Sequence, residues 1–389
     1  MATSLVHRVT AGIFGVSIKR QLKELYLFSL FFSLAQGLVM IFEPIFLYQQ
    51  GFSLSFIALY YALHYTVYIF VLPWGSRFAA RFGLERSLAV STPFFMLYIL
   101  VLALLPWKQE LWVVGILLLT THKVFYWPAW HTDFAQFADS KKRGMELSWM
   151  NMLLYGVGIL GPFIGGLVAA TYGFTMLFIV TACTVLLASF TLLRTKEHED
   201  HESFAYTAPW KIMATPKHKG MVLAMLGMGE NLIQLVFWPI FMFIILGNTA
   251  QLGLIATIGA VIMTLFGFLV GELTDKKPDR TILRLHLPFF ALSYLFLPLA
   301  STAWRATMTN IFSQMSYMGV HIPMLSRLYG SAMRSKPLAY ITAFEMTLAI
   351  AKALTAWLLV FIFAFFLPYT GFSLAFLLAA ALVFLYAFL

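Results

Sequence analysis

The sequence predicts an all-α membrane protein whose twelve transmembrane helices form two pseudo-symmetric halves of six helices each. Three observations predict this fold: an apolar composition, a one-sided distribution of basic residues and an internal repeat. Of the 389 residues, 61% are hydrophobic and only 11% are charged, whereas about a quarter of the residues of a soluble protein are charged. So large an apolar surface requires lipid as its solvent, which excludes a soluble globular protein.

The apolar residues are gathered into long runs that match the thickness of a bilayer. A transmembrane helix needs about 20 consecutive apolar residues, whereas a transmembrane β-strand needs only about ten with alternating polarity. The runs are of the longer kind, so helices are predicted and a β-barrel is not. Twelve spans can be delimited, at 22–49, 53–74, 87–106, 109–130, 147–171, 173–193, 219–246, 250–270, 282–300, 303–326, 338–366 and 371–389.

The basic residues lie almost entirely on one side of these spans. If the N-terminus is cytoplasmic, 22 of the 26 Lys and Arg residues fall on the cytoplasmic side, two fall in outer loops, and Lys123 and Lys352 lie within spans. Cytoplasmic loops of membrane proteins carry such an excess of positive charge. We therefore expect a multi-pass protein of a bacterial cytoplasmic membrane, monomeric, with both termini in the cytoplasm. Because topology accounts for the net charge of +10, no nucleic-acid partner is expected.

Similar residues recur at an offset of 195 positions, which predicts a duplicated unit. The matches are Phe42–Phe46 with Phe237–Phe241, Pro128 with Pro323, Ser140-Lys141 with Ser335-Lys336, and the loop 76–83 with the loop 271–278. An even number of spans in each unit gives both halves the same orientation, as in a parallel repeat. The predicted organisation is a half at 1–194, a cytoplasmic linker at 195–218 and a half at 219–389.

The loops after the second and eighth spans carry a motif. The second copy has Gly271, Asp275 and Lys276, and the first keeps Arg81 and Gly83 but has Ser76 and Ala80 where the motif has Gly and Asp. At these positions the sequence resembles the major facilitator superfamily, in which the Asp and a basic residue form a cytoplasmic latch. The resemblance implies a latch in the second half, while Ala80 puts it in doubt in the first. The alternative is a basic loop that only sets the topology.

The fifth span contains Gly161-Pro162-Phe163-Ile164-Gly165-Gly166. This stretch resembles the end of a motif found in antiporters of the same family, especially drug exporters, and it implies export. The alternative is that the small residues Gly161, Gly165 and Gly166 allow close packing between spans, with Pro162 bending the helix.

Five ionisable residues lie within the spans: Glu43, Lys123, Glu230, Glu345 and Lys352. Such residues are costly in lipid and usually face a cavity or a partner. Glu230, near the middle of the seventh span, is the first candidate for proton coupling, because a carboxyl group in a medium of low dielectric can bind and release protons near neutral pH. A structural ion pair is the alternative.

The other four ionisable residues also have open alternatives. Lys123 is expected to pair with Glu230 or to bind an anionic group of the substrate. Glu345 and Lys352 lie seven residues apart on one helix face, so each should have its partner on another helix. Glu43, in the outer part of the first span, is expected either to form an outer gate or to reach water.

Further polar and aromatic residues are candidates for the wall of a substrate cavity, which the family resemblance places between the first, fourth, seventh and tenth spans. Gln36 aligns with Asn231 at the repeat offset, and Gln234 shares a helix face with Glu230. A histidine within a span is more often a packing residue, and aromatic residues often serve as interfacial anchors. The candidates are Gln36, Asn231, Gln234, Trp238 and His321.

These observations predict a secondary active transporter of a small molecule, working by alternating access and coupled to protons, and not an enzyme. Export by antiport is expected; the alternatives are proton-coupled import of an organic solute and a lipid-handling protein or sensor. No cofactor is expected, since no Walker A motif is present. No Cys-based metal site is expected either, since Cys183 is the only cysteine.

Overall fold

The structure, a computed structural model, describes residues 20–138, 144–192 and 203–389, with side chains described at 27–136, 158–191 and 203–389 except at Asp275. Within these residues every regular element is a helix, so the predicted all-α class is confirmed. The first half of the sequence forms α1 (Arg20–Val39), α2 (Glu43–Gln49), α3 (Leu54–Phe82), α4 (Leu84–Leu104), α5 (Trp112–Ala138) and α6 (Gly144–Leu192), and α6 is interrupted at Gly173 by a φ of 83°.

The second half contains a more broken series of helices. The stretch that corresponds to the seventh predicted span consists of two short α-helices, a π-helical turn and a further α-helix. The elements are α7 (Ala208–Ala214), α8 (Lys219–Leu226), α9 (Gly229–Leu232), the π turn Ile233–Phe237, α10 (Trp238–Leu246), α11 (Thr249–Lys276), α12 (Asp279–Phe296), α13 (Ala303–Met333), α14 (Pro337–Phe365) and α15 (Pro368–Val383).

The described part of the chain has nine helical stretches that are long and apolar enough to cross a membrane. The protein is therefore a multi-pass membrane protein. Large apolar side chains such as Phe70, Leu269 and Phe361 are exposed on its outer faces, where lipid would cover them. Two other long helices, α5 and α13, are not among these nine stretches, and both border the central cavity described below.

The motif residues after the second and eighth spans lie on helices and not in loops, so the predicted loops are wrong at these positions. Residues 76–82 form the last turns of α3, and residues 271–276 form the last turns of α11. A helix satisfies its own backbone hydrogen bonds and can therefore continue past the end of its apolar stretch. Gly83 ends α3 with a φ of 102°, a conformation that favours glycine.

Several positions related by the offset of 195 occupy similar places in the helices. Glu43 and Trp238 each begin a new helix, α2 and α10, and each is followed by a proline in the first turn, where proline is well accommodated. Pro128 lies inside α5 and Pro323 inside α13. Ser140 and Lys141 lie outside the described residues.

Helices α3 and α14 pack antiparallel along nearly their whole length. Near one end, Ser55 Oγ donates a hydrogen bond of 2.9 Å to the carbonyl oxygen of Val360. Near the other end, Thr342 Oγ1 donates to Ser76 Oγ at 2.8 Å. These contacts join a helix from the first half of the sequence to one from the second half.

The glycines of the fifth-span motif lie where helices approach each other closely. A Cβ atom added to Gly161 would lie 2.6 Å from the Cα atom of Gly37 on α1, and one added to Gly165 would clash with the backbone of Leu38. Gly166 faces α11, where Thr249 Oγ1 donates to its carbonyl oxygen at 3.2 Å. The motif therefore packs α6 against both α1 and α11.

Of the predicted linker 195–218, residues 203–218 are described and 195–202 are not. Tyr206 Oη donates a hydrogen bond of 2.9 Å to the carbonyl oxygen of Phe70 on α3, and the Trp210 ring packs near the Phe70 ring. This part of the linker therefore lies against α3.

Candidate substrate cavity

A central cavity of about 370 Å³ lies between helices from both halves of the sequence. Its volume is in the range of small-molecule sites. Its wall includes seven of the residues that the sequence singled out and two further histidines. These residues are Gln36, Glu43, Lys123, Asn231, His321, Glu345 and Lys352, together with His122 and His131.

Three tyrosines on α3 form a polar stripe along one side of the cavity. Tyr61, Tyr65 and Tyr68 are spaced at i, i+4 and i+7, so they share one face of the helix. Each tyrosine contacts a different set of ionisable groups. The cavity therefore contains three polar sites arranged along α3.

The first site is a carboxylate held by a tyrosine. Tyr61 Oη donates a hydrogen bond of 2.9 Å to Oε1 of Glu43, the first residue of α2. Glu43 lies on the cavity wall.

The second site contains two lysines on one aromatic ring. The Nζ atom of Lys123, on α5, lies 5.1 Å from the Tyr65 ring centroid, and that of Lys352, on α14, lies 5.5 Å from it. At these distances an ammonium group is attracted to the face of the ring. No described carboxylate lies within 4.0 Å of either Nζ atom. Lys352 is only 6% exposed.

The third site is a contact between a histidine on α5 and a glutamate on α14. His131 Nε2 lies 3.1 Å from Glu345 Oε1, and Tyr68 Oη donates to Glu345 Oε2 at 3.4 Å. His131 Nδ1 lies 2.6 Å from Tyr329 Oη on α13. When a neutral His131 donates from Nε2 to Glu345, Nδ1 must accept from Tyr329. The buried cluster joins four helices through one protonatable pair.

Glu230 lies away from this cavity. It is fully buried, and its carboxylate accepts hydrogen bonds from Tyr294 on α12 and, at 2.8 Å, from Tyr386. Its neighbour Asn231 reaches the cavity wall, and so does Gln36, its counterpart at the repeat offset. The structure therefore brings Gln36 and Asn231 to one cavity and does not pair Glu230 with Lys123.

Two other cavity candidates hold the broken seventh span against α13. Trp238 Nε1 donates to Oδ1 of Asn310 at 3.1 Å, and Ser313 Oγ donates to Oε1 of Gln234 at 3.4 Å. Neither Trp238 nor Gln234 is on the cavity wall. His321 is on the wall, and its ring stacks on that of Tyr317 with centroids 4.6 Å apart.

The motif residues at the helix ends make local contacts. The Arg81 guanidinium lies over the ring of Phe82, at 5.2 Å from its centroid. Lys276 Nζ lies 3.8 Å from Glu272 on the same helix, and both side chains are exposed. A Cβ atom added to Gly271 would meet no atom within 4 Å. The side chain of Asp275 lies outside the described residues, so the predicted latch remains a prediction.

Sequence reasoning missed His131 and the three tyrosines as members of the site. His131 lies one residue beyond the predicted fourth span, 109–130, whereas α5 continues to Ala138. The tyrosine spacing on α3 is visible in the sequence, but aromatic residues at helical spacing are also common in packing interfaces.

A bundle of apolar helices around a central cavity that several ionisable side chains line is typical of a membrane transport protein. The sequence matches the family model of the Major Facilitator Superfamily over residues 25–353. The chain belongs to this family, so it is a membrane transporter and not an enzyme. No curated protein sequence matches it significantly.

Solved transporter structures share the fold. A point mutant of the nucleoside transporter NupG superposes with a TM-score of 0.72 at 14% identity, covering 95% of this chain and 98% of that chain. A D-xylose-proton symporter superposes with a TM-score of 0.68 at 15% identity, with the same coverage. NupG without the mutation gives a TM-score of 0.70 at 12% identity, also with 95% and 98% coverage. At these identities the similarity shows the fold alone.

Proposed function

We propose that the protein is a proton-coupled secondary active transporter that moves a small organic solute through this cavity by alternating access. In this proposal twelve spans form two halves, 1–194 and 219–389, joined by the linker 195–218, with both termini cytoplasmic. The helices α5 and α13 and the two parts of α6 on either side of Gly173 complete the twelve. The protein is proposed to act as a monomer in a bacterial cytoplasmic membrane.

The observation that carries the proposal is the pair formed by His131 and Glu345. It connects α5 to α14, so movement of one half against the other must separate the two side chains. A buried carboxylate that loses its cationic partner is costly, and protonation removes that cost. Histidine changes charge near neutral pH. Proton binding to the pair is therefore linked to opening of the cavity.

Several other titratable or charged groups face this pair. Tyr68 on α3 and Tyr329 on α13 hydrogen-bond to it. His321, Lys123 and Lys352 share the same cavity wall.

Glu230 is the second candidate for the coupling group. Its carboxyl group is buried, as coupling requires, but two tyrosines donate hydrogen bonds to it and it is not on the cavity wall. Glu345, which is on the wall and bridges two halves of the sequence, is the stronger candidate. The two can be separated by comparing E345Q with E230Q in the same assay.

Import by symport is the direction that we favour. The fifth-span glycines, from which export was predicted, are accounted for by close packing of α6 on α1 and α11. One structural neighbour is a D-xylose-proton symporter. Export by antiport is the second candidate, because a Gly-Pro-x-x-Gly-Gly stretch is nevertheless present.

Proteoliposomes containing the full chain and a trapped pH-sensitive dye test the function and its direction together. Sugars, nucleosides, organic acids and cationic drugs are added outside one at a time. A symporter carries protons inward with its solute, so the lumen becomes acidic, whereas an antiporter makes the lumen alkaline. If solute uptake occurs in every case without any proton movement, proton coupling is wrong.

A further inference from the structure

We propose that Lys123 and Lys352 together bind the anionic head group, a carboxylate or a phosphate, of the transported solute. This inference rests on the proposed function, because it takes the central cavity to be the transport site. It adds the chemical class of the substrate.

Two positive charges from opposite halves of the sequence converge on one tyrosine, and no described carboxylate lies within 4.0 Å of either ammonium group. The Nζ atoms lie 5.1 and 5.5 Å from the Tyr65 ring centroid. Two like charges that share one ring in a medium of low dielectric repel each other. An anion between them would replace that repulsion by two attractions. A solute held in this way contacts both halves at once.

The carboxylates on the cavity wall already have other partners. Glu43 accepts a hydrogen bond from Tyr61, and Glu345 contacts His131 and Tyr68. Neither carboxylate is within 4.0 Å of a lysine ammonium group among the described residues. A buried charge is normally paired, so the missing partner of the lysines is best supplied by a ligand.

The cavity wall also indicates the character of the rest of the solute. The wall is predominantly apolar, and Trp127, Trp130, Tyr317 and Phe344 are among its residues. Such walls bind an apolar or aromatic body, while a few polar groups fix its orientation. The geometry therefore fits a small organic acid, or a phosphate ester, with an apolar body.

Binding of four probes with the same phenyl body and different head groups tests the proposal. Benzoate, phenyl phosphate, benzyl alcohol and benzylamine are titrated into the purified full chain in detergent. Quenching of tryptophan fluorescence reports binding, because Trp127 and Trp130 lie on the cavity wall. We expect benzoate or phenyl phosphate to bind at least about tenfold more tightly than benzyl alcohol. Preference between these two anions identifies carboxylate or phosphate as the head group.

Four variants locate the site. K123M and K352M remove one charge each and keep an unbranched side chain, and each should weaken anion binding about tenfold or more while leaving benzyl alcohol binding unchanged. K123R and K352R keep the charge and should retain most of the affinity. K108M, at an exposed lysine outside the cavity, is the matched control. Thermal unfolding of each variant verifies that it is folded.

Several results would overturn the proposal. The proposal is wrong if benzylamine binds most tightly, if benzoate and benzyl alcohol bind equally, or if neither anion binds. It is also wrong if K123M and K352M bind the anion as tightly as the parent chain does. The assay uses no pH gradient, so it is independent of proton coupling. Anion binding without proton-coupled flux would refute the proposed function alone, and coupled flux of a neutral solute without anion binding would refute this inference alone.

Discussion

His131 on α5 and Glu345 on α14 lie on the cavity wall with Nε2 and Oε1 3.1 Å apart, so that they join the two halves of the sequence. Tyr329 contacts His131, and Tyr68 donates a hydrogen bond to Glu345. Among the described residues this is the one contact between a histidine and a carboxylate on the cavity wall.

Replacing His131 with Gln should flatten the pH dependence of transport. Glutamine keeps a hydrogen-bond donor for Glu345 but does not change charge between about pH 5 and 8, where histidine does. The initial rate of solute-driven proton movement, measured across that range, is expected to vary with pH in the parent chain and much less in H131Q. H286Q, at a histidine on α12 that bonds within its own helix, is the control and should behave as the parent chain.

Changes at Tyr65 should separate the role of its ring from that of its hydroxyl. Y65F keeps the ring on which both ammonium groups lie, and it should bind benzoate nearly as well as the parent chain. Y65L removes the ring, and it should weaken benzoate binding roughly 2- to 30-fold, the range of a cation–π interaction. Equal affinities for Y65L and Y65F would show that the ring does not organise the two lysines.

Adding a methyl group at Gly161 should loosen the packing of α6 on α1. A Cβ atom at this position would lie 2.6 Å from the Cα atom of Gly37, and overpacking of this kind costs about 1–3 kcal/mol. G161A should therefore unfold at a lower temperature in detergent. G158A is the matched control, because a Cβ atom at Gly158 would meet nothing within 4 Å. Equal melting temperatures would contradict the packing role of the motif.

Replacing Glu230 with Gln should lower stability and leave coupling in place. Tyr294 and Tyr386 now donate hydrogen bonds to the Glu230 carboxylate. In E230Q the NH2 group of the glutamine, which can only donate, would face one of these two hydroxyls. The expected result is a lower melting temperature with normal solute-driven proton movement. If a folded E230Q protein loses solute-driven proton movement, Glu230 is the stronger coupling candidate.

Composition was enough to predict the fold class, because apolar runs of bilayer length leave few alternatives to membrane helices. The ends of the helices were not predictable in the same way. Hydropathy falls before α3, α5 and α11 end. The motif residues were therefore predicted to lie in loops, and the fourth span was predicted to end at residue 130, just before His131.

The ionisable residues were identified from the sequence, but their partners were not. Glu345 was expected to have a partner on another helix, and the structure gives that partner as His131. Glu230 lies one residue from Asn231, and yet only Asn231 faces the cavity. Adjacent residues of a helix point about 100° apart, and the spacing of apolar residues in the seventh span does not show which of the two faces the cavity.

The most direct test of the account is transport by E345Q in proteoliposomes, measured in two modes. The solute is the one that moves protons in the screen of the parent chain. Exchange of labelled for unlabelled solute needs no net proton movement, whereas accumulation driven by a pH gradient does. The account predicts that E345Q keeps exchange and loses gradient-driven accumulation. Accumulation at the parental level in E345Q would contradict it.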